Sequence, residues 1–112
     1  MDVREGDAVL IRLYLVLKRG AACDASYSAT GKEVELYIRK PNGEEVVIPT
    51  TAVESDDPDI ANSMVEHTIT GHETSGNRGT WLVVARVPAD GVTFGTLRFK
   101  VVDKYTEVGQ CA

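Results

Sequence analysis

Two histidines, two cysteines and one acidic loop are the residues of this 112-residue chain whose types invite chemistry. His67 lies in Val65-Glu66-His67-Thr68-Ile69, and His72 in Gly71-His72-Glu73. Together with Glu66 and Glu73 they offer the nitrogen and oxygen donors that zinc accepts, yet neither HxH nor HExxH spacing is present. Their five-residue separation turns the two rings to opposite faces of a continuous strand. His67 therefore reads as a core or edge histidine. Glu54, Asp56, Asp57 and Asp59 gather carboxylates in one loop, the donor type calcium prefers, but Pro58 stiffens the run and the glycine of an EF-hand loop is missing. A solvated loop, or one that steers a basic partner, is the expectation. Cys23 and Cys111 are far apart and lack CxxC spacing. In a reducing compartment they are free thiols, whereas an oxidised bridge across so long a loop would stabilise by ~4 kcal/mol. No Ser-His-Asp, Cys-His or paired-carboxylate arrangement stands out, and Gly76, Gly79 and Gly91 precede strands rather than helices, which argues against a phosphate cradle. The reading is of a non-enzyme with no catalytic residues, no metal and no cofactor.

Charge narrows the partners. Seventeen acids against twelve bases leave a net charge of −5, which repels phosphate backbones, and no basic cluster offsets it. Lys18-Arg19 and Arg39-Lys40 fall at strand ends, where solvated charge is ordinary. No nucleic acid is expected. The most apolar segment, Val9 to Leu17, is broken by Arg12 and is far short of the ~18–20 residues that cross a bilayer, so no membrane is expected either. The opening Met-Asp-Val-Arg-Glu-Gly-Asp places acids where a secretory leader would carry bases, which points to synthesis in the cytoplasm.

The elements that would position these residues are strands. Glu33-Val-Glu-Leu-Tyr-Ile-Arg39 alternates with a period of two, the pattern of a sheet with one buried and one wet face. Lys40-Pro41-Asn42-Gly43 then reads as a hairpin turn, Pro41 presetting φ and Gly43 free to take a positive value. Further strands are expected over 8–17, 44–49, 64–70, 80–87 and 95–103. Residues 20–32 form a small-residue loop or weak edge strand, and Asp57-Pro58 is suited to start one helical turn. Turn signals every ten residues or so predict an all-β, single antiparallel sandwich of about six to eight strands. Its core spans about residues 5–103, with Trp81 and Phe99 as anchors between the sheets and a polar tail over 104–112. A small closed barrel is the competing arrangement.

Two strands depart from alternation. Behind Val9, Ile11, Leu13, Leu15 and Leu17 lie Leu10, Tyr14 and Val16; behind Trp81, Val83, Ala85 and Val87 lie Leu82 and Val84. Burying three such side chains is worth roughly 5–8 kcal/mol gross, comparable with the whole stability of a small domain. Leu10, Tyr14, Val16, Leu82 and Val84 are therefore the candidate interface, covered either by the chain's own loops or by a partner subunit.

The ordered motifs carry a resemblance. Gly6-Asp7 before an apolar strand, Val34-Glu-Leu-Tyr-Ile-Arg-Lys-Pro-Asn-Gly43, an acidic insert, Val65-Glu-His-Thr-Ile69, Ser75-Gly-Asn-Arg-Gly-Thr-Trp-Leu-Val-Val84 and a closing Phe99-Lys-Val-Val102 together resemble the small immunoglobulin-like domains of tailed bacteriophages and prophages. The chain is similar in this respect to the N-terminal domain of phage upper-baseplate proteins, over about residues 5–103. The loop containing Cys23, the acidic insert and the Gln-Cys-Ala tail depart from that pattern. The resemblance implies a virion structural or assembly protein of tail, baseplate, fibre attachment or capsid decoration, made in the host cytoplasm. It would contact other virion proteins or copies of itself. A carbohydrate-binding or host-adhesion module on the same fold is the alternative, with Tyr27, Tyr37 and Tyr105 as its aromatic candidates.

Overall fold

A computed structural model of the chain describes residues 2–19, 22–24 and 27–105. Its strands are β1 (Asp2–Arg4), β2 (Val9–Tyr14), β3 (Leu17–Arg19), β4 (Ala22–Asp24), β5 (Glu33–Arg39), β6 (Glu45–Thr51), β7 (Val53–Glu54), β8 (Ser63–Ile69), β9 (Gly79–Val87) and β10 (Val92–Val102); one helical turn, α1 (Gly71–Thr74), joins β8 to β9. A five-stranded sheet in the order β1-β10-β9-β5-β6 packs against a three-stranded sheet in the order β2-β8-β7, while β3 and β4 form a separate hairpin. The expected all-β sandwich is therefore present.

Alternation explains the core. Val34, Leu36 and Ile38 of β5, with Trp81, Val83, Ala85 and Val87 of β9, turn inward from the large sheet to meet Val9, Ile11, Val65 and Ile69 from the small one. The rings of Trp81 and Phe99 stack with centroids 5.6 Å apart, and both are almost fully buried. The Pro41 hairpin closes as the residues dictate: the Gly43 amide donates to the Lys40 carbonyl at 3.0 Å, and Gly43 takes φ +90°.

Several elements differ from the sequence expectation. The long first strand stops at Tyr14 and resumes as β3, paired with β4 inside the segment read as a loop or weak edge strand. The N-terminal arm forms β1, which lies parallel to β10, so the large sheet is mixed rather than purely antiparallel. A three-residue strand carries too little periodicity to be read from sequence. Here it forms because Glu5-Gly6-Asp7 carries the chain from the edge of one sheet into the other. Pro49 falls inside β6, an edge strand, where its missing donor is tolerated. Cys111 and the rest of 106–112 lie outside the described residues, as does the side chain of Cys23.

A latch at one end of the sandwich joins that crossing to α1. Thr70 caps α1 and exchanges hydrogen bonds with Glu73 in a capping box. The buried Thr74 hydroxyl donates to the Asp7 carbonyl at 2.9 Å and accepts from the Gly6 amide at 3.1 Å. Glu5 accepts from the Gly76 amide at 2.7 Å. Gly71 lies so close that a Cβ there would run into the Gly6 carbonyl oxygen. Backbone meets backbone, and neither side can rotate away. Gly71→Ala is thus expected to cost at least ~2–3 kcal/mol, and Thr74→Val ~1–3 kcal/mol through the two partners it leaves unpaired. Urea denaturation reads both as a lower midpoint with an unchanged slope.

Candidate functional site

The register of four strands builds one continuous outer face on the large sheet. Thr96 faces Val84, Val84 faces Tyr37, and Tyr37 faces Val47. This apolar row crosses β10, β9, β5 and β6 in turn. On one side of it run Arg98, Leu82, Arg39 and Glu45; on the other run Thr93, Arg86, Glu35 and Pro49. A depression of about 180 Å³ opens at its centre, lined by Tyr37, Arg39, Glu45, Leu82, Val84 and Thr96. Leu82, Val84 and Tyr37 are half-buried, and Val47 is 48% exposed.

The polar groups on this face are partly engaged. The Tyr37 hydroxyl donates to Glu35 Oε2 at 2.5 Å, and this bond, with partial burial behind it, holds the phenol above its ordinary range. Arg86 Nη1 donates to Thr93 Oγ1 at 3.0 Å, and Arg39 lies 3.5 Å from Glu45. Each carboxylate is held from one side and keeps acceptor capacity on the other.

The small sheet presents a different outer surface. Arg12 donates to Asp56 at 2.8 Å and to Glu66 at 3.1 Å, while the Tyr14 hydroxyl donates to the second oxygen of Asp56 at 2.7 Å. The hydrogen bond to Asp56, more than burial, raises the Tyr14 phenol. Asp56 belongs to the acidic loop, so that loop reaches over the face of β2. Asp57 organises the loop as a turn, its carbonyl accepting from the Ile60 and Ala61 amides and its carboxylate from the Asp59 amide. Only Leu10, 55% exposed, stands well out of this surface among the predicted interface residues.

The five candidate residues therefore divide. Leu10 and Tyr14 lie on the outer side of β2 and Val16 just beyond its end, whereas Leu82 and Val84 lie on the outer side of β9. The inner sides of β2 and β9 meet in the core, so these two groups look away from one another on opposite faces of the sandwich. One surface built from all five is excluded. Tyr14, one of the five, is tied up by the chain's own Asp56. The residues that complete the β9 surface are Tyr37, Val47, Thr96 and the flanking charges. Tyr37 was visible as an outward aromatic; its neighbours across the sheet depend on register, which alternation within one strand does not specify.

His67 is half-buried on the inner side of β8, and its Nε2 is buried with no hydrogen-bond partner. His72 is exposed on α1, so the two imidazoles belong to different surroundings. Among the described residues no group of three or more His, Cys, Asp or Glu side chains is placed to hold a metal ion. No described helix is long and apolar enough to cross a membrane. At the loop end, the Tyr27 hydroxyl and the Lys32 ammonium both donate to Asp90 Oδ2, at 2.7 and 2.8 Å. Tyr27 also lies against Phe94, with ring centroids 5.5 Å apart. Tyr105 is largely exposed. The three tyrosines named as sugar candidates thus sit in three separate places. No protein-family model, characterised protein or solved structure matches this chain.

The Tyr27 cluster has a titration signature. Burial first, and then the bond to Asp90, push the Tyr27 phenol up from 10.0 to about 12. Between those values the unfolded chain has lost the proton that the folded chain keeps, so rising pH favours unfolding across that window. Below it the contribution is fully present. Lys32 first, and Tyr27 second, hold the Asp90 carboxyl below its ordinary value, so its contribution is present above the unfolded pKa and is lost as pH falls through the folded one. Denaturation midpoints from pH 9 to 12 should fall less steeply in Tyr27→Phe than in the parent, and Asp90→Asn should flatten the acid limb instead.

Proposed function

We propose that this chain is a non-enzymatic structural module that docks through the outer face of its five-stranded sheet, in the setting of a bacteriophage particle. One observation carries the docking reading. The row Val84-Tyr37-Val47, with Leu82 beside it, is apolar across β9, β5 and β6, Thr96 extends it onto β10, and a depression opens at its centre. The small sheet's face, by contrast, is bridged by the acidic loop. A half-wet apolar row with an aromatic at its middle and charges at its rim has the composition of an interface patch.

The strand order supports the immunoglobulin-like form of the sandwich. A first strand parallel to the last at one edge, followed by three antiparallel neighbours, faces a three-stranded sheet built from the second strand and the two before the helical turn. Such an order, with one strand added at an edge, is compatible with that form. Their corner tyrosine, which bonds back to the chain upstream, has a counterpart in Trp81. Its indole N–H donates to the Asn77 carbonyl at 3.0 Å, four residues before it. The phage setting rests on the Lys-Pro-Asn-Gly, Gly-Thr-Trp and Phe-x-Val segments. The part of the particle, whether tail, baseplate, fibre attachment or decoration, follows from the partner that fills the face.

Val84→Arg is the test, because it places a charge in the middle of the row while leaving the inward side chains alone. Its unfolding midpoint should stay close to the parent's. In particles released from a host carrying the gene, mass spectrometry should find the parent chain and at least about tenfold less of the variant, the loss expected when a hot-spot contact of ~1.4 kcal/mol or more is removed. Particles lacking the parent chain, or equal incorporation of the variant, would overturn the proposal. Glycan binding that depends on Tyr37 would replace it with the adhesion reading.

A further inference from the structure

We infer that the outer face of the five-stranded sheet pairs with the same face of a second copy of this chain, about a two-fold axis running parallel to the strands between β9 and β5. The inference rests on reading that face as a docking surface and is independent of the phage setting. Such an axis exchanges β10 with β6 and β9 with β5 while keeping every residue in its own row. The register then fixes what meets what. In the apolar row, Val84 meets the second copy's Tyr37 and Thr96 meets its Val47, each contact occurring twice. In one flanking row, Arg98 meets Glu45; in the other, Arg86 meets Glu35. Four opposite-charge pairs result, two on either side of the apolar row.

The free chain leaves those charges suited to the purpose. Among the described residues Arg98 makes no ion pair, and Arg86 bonds only the neutral Thr93 hydroxyl. Glu35 is held by the Tyr37 hydroxyl and Glu45 by Arg39, each from within its own sheet, so both carboxylates can accept a further guanidinium from above. Tyr37 of one copy comes down over Val84 of the other, where the depression of about 180 Å³ opens. A Tyr anchor in a socket ringed by charge is how strong contacts in interfaces are commonly built.

Other orientations do less well. Either axis sets Leu82 on an arginine, Arg39 for the parallel one and Arg86 for one laid across the strands, but the latter keeps only Arg39 against Glu35 as an opposite-charge contact, where the parallel axis makes both Arg98–Glu45 and Arg86–Glu35. The rim therefore selects the axis parallel to the strands. Four strands about 4.8 Å apart and three outward rows about 6.8 Å apart give a footprint of roughly 19 by 20 Å. That is about 400 Å² on each partner, below the standard size for specific interfaces and in the range of weak, transient encounters. The dimer is accordingly a weak, concentration-dependent one, and salt weakens it further.

Charge exchange tests the pairing. Homodimers of Arg98→Glu would set carboxylate against carboxylate at both copies of this contact, and homodimers of Glu45→Arg would set guanidinium against guanidinium. A mixture of the two variants, however, forms one reversed pair and one original pair. Sedimentation equilibrium over a concentration series reaching about 1 mM should show the parent chain in a monomer–dimer equilibrium and each variant alone at least about tenfold weaker. The equimolar mixture should return to dimers, identified as mixed by native mass spectrometry. Circular dichroism and unfolding midpoints close to the parent's establish that each variant is folded. A monomeric parent, a Val84→Arg variant that dimerises like the parent, or a mixture no stronger than its components would overturn the two-fold. A monomeric parent that still enters particles would remove the dimer and leave the docking reading in place; a dimer missing from particles would keep the docking face and remove the phage setting.

Discussion

The stack of Trp81 on Phe99 is the contact through which the two ends of this molecule are made consistent. Both rings belong to the large sheet, on neighbouring strands held in register with each other, and together they supply the bulk that the small sheet packs upon. Trp81 also has a polar handle. By donating to the Asn77 carbonyl it ties the start of β9 to the segment leaving α1, and α1 is in turn bolted to the crossing at Gly6 and Asp7 through Thr74. A single indole thus couples interlayer packing to the geometry of a corner. Buried aromatics with a satisfied N–H serve this double purpose because their apolar area and their donor point in different directions.

With the inner faces fixed in this way, the two outer faces meet different fates. Arg12, Tyr14 and Glu66 on the small sheet are drawn into a network with Asp56, so the acidic loop completes that surface from within the chain. On the large sheet the charges line up beside an apolar row instead of closing over it. The net charge of −5 consequently describes neither surface well. Carboxylates concentrate around the loop, whereas the flanks of the apolar row hold both guanidinium and carboxylate groups.

Much of this was legible in the residues themselves. The inward sets of β2, β5 and β9, the Pro41 hairpin and the roles of Trp81 and Phe99 follow from a period of two and from turn chemistry. What alternation could not supply was the partner of each strand. Leu82 and Val84 look like Leu10 and Tyr14 when each strand is read alone, and they separate only when β2 and β9 are assigned to opposing sheets. Likewise, Arg86 and Arg98 are ordinary surface residues until register places them on either side of Val84. The short β1 and the β3–β4 hairpin are too brief for period-two alternation to show, whereas α1 carries a local signal, the Thr70-Gly-His-Glu73 capping box, inside a segment read only as a loop.

Pro49 gives the large sheet a property that its faces alone would not. It sits within β6, the strand at one border of that sheet, while β1 covers the end of β10 at the other. A border with an uninterrupted ladder of free amides can add strand after strand without limit. Here one border has a missing donor in its middle and the other is already partly taken. Growth of the large sheet by strand addition is therefore discouraged at both of its borders.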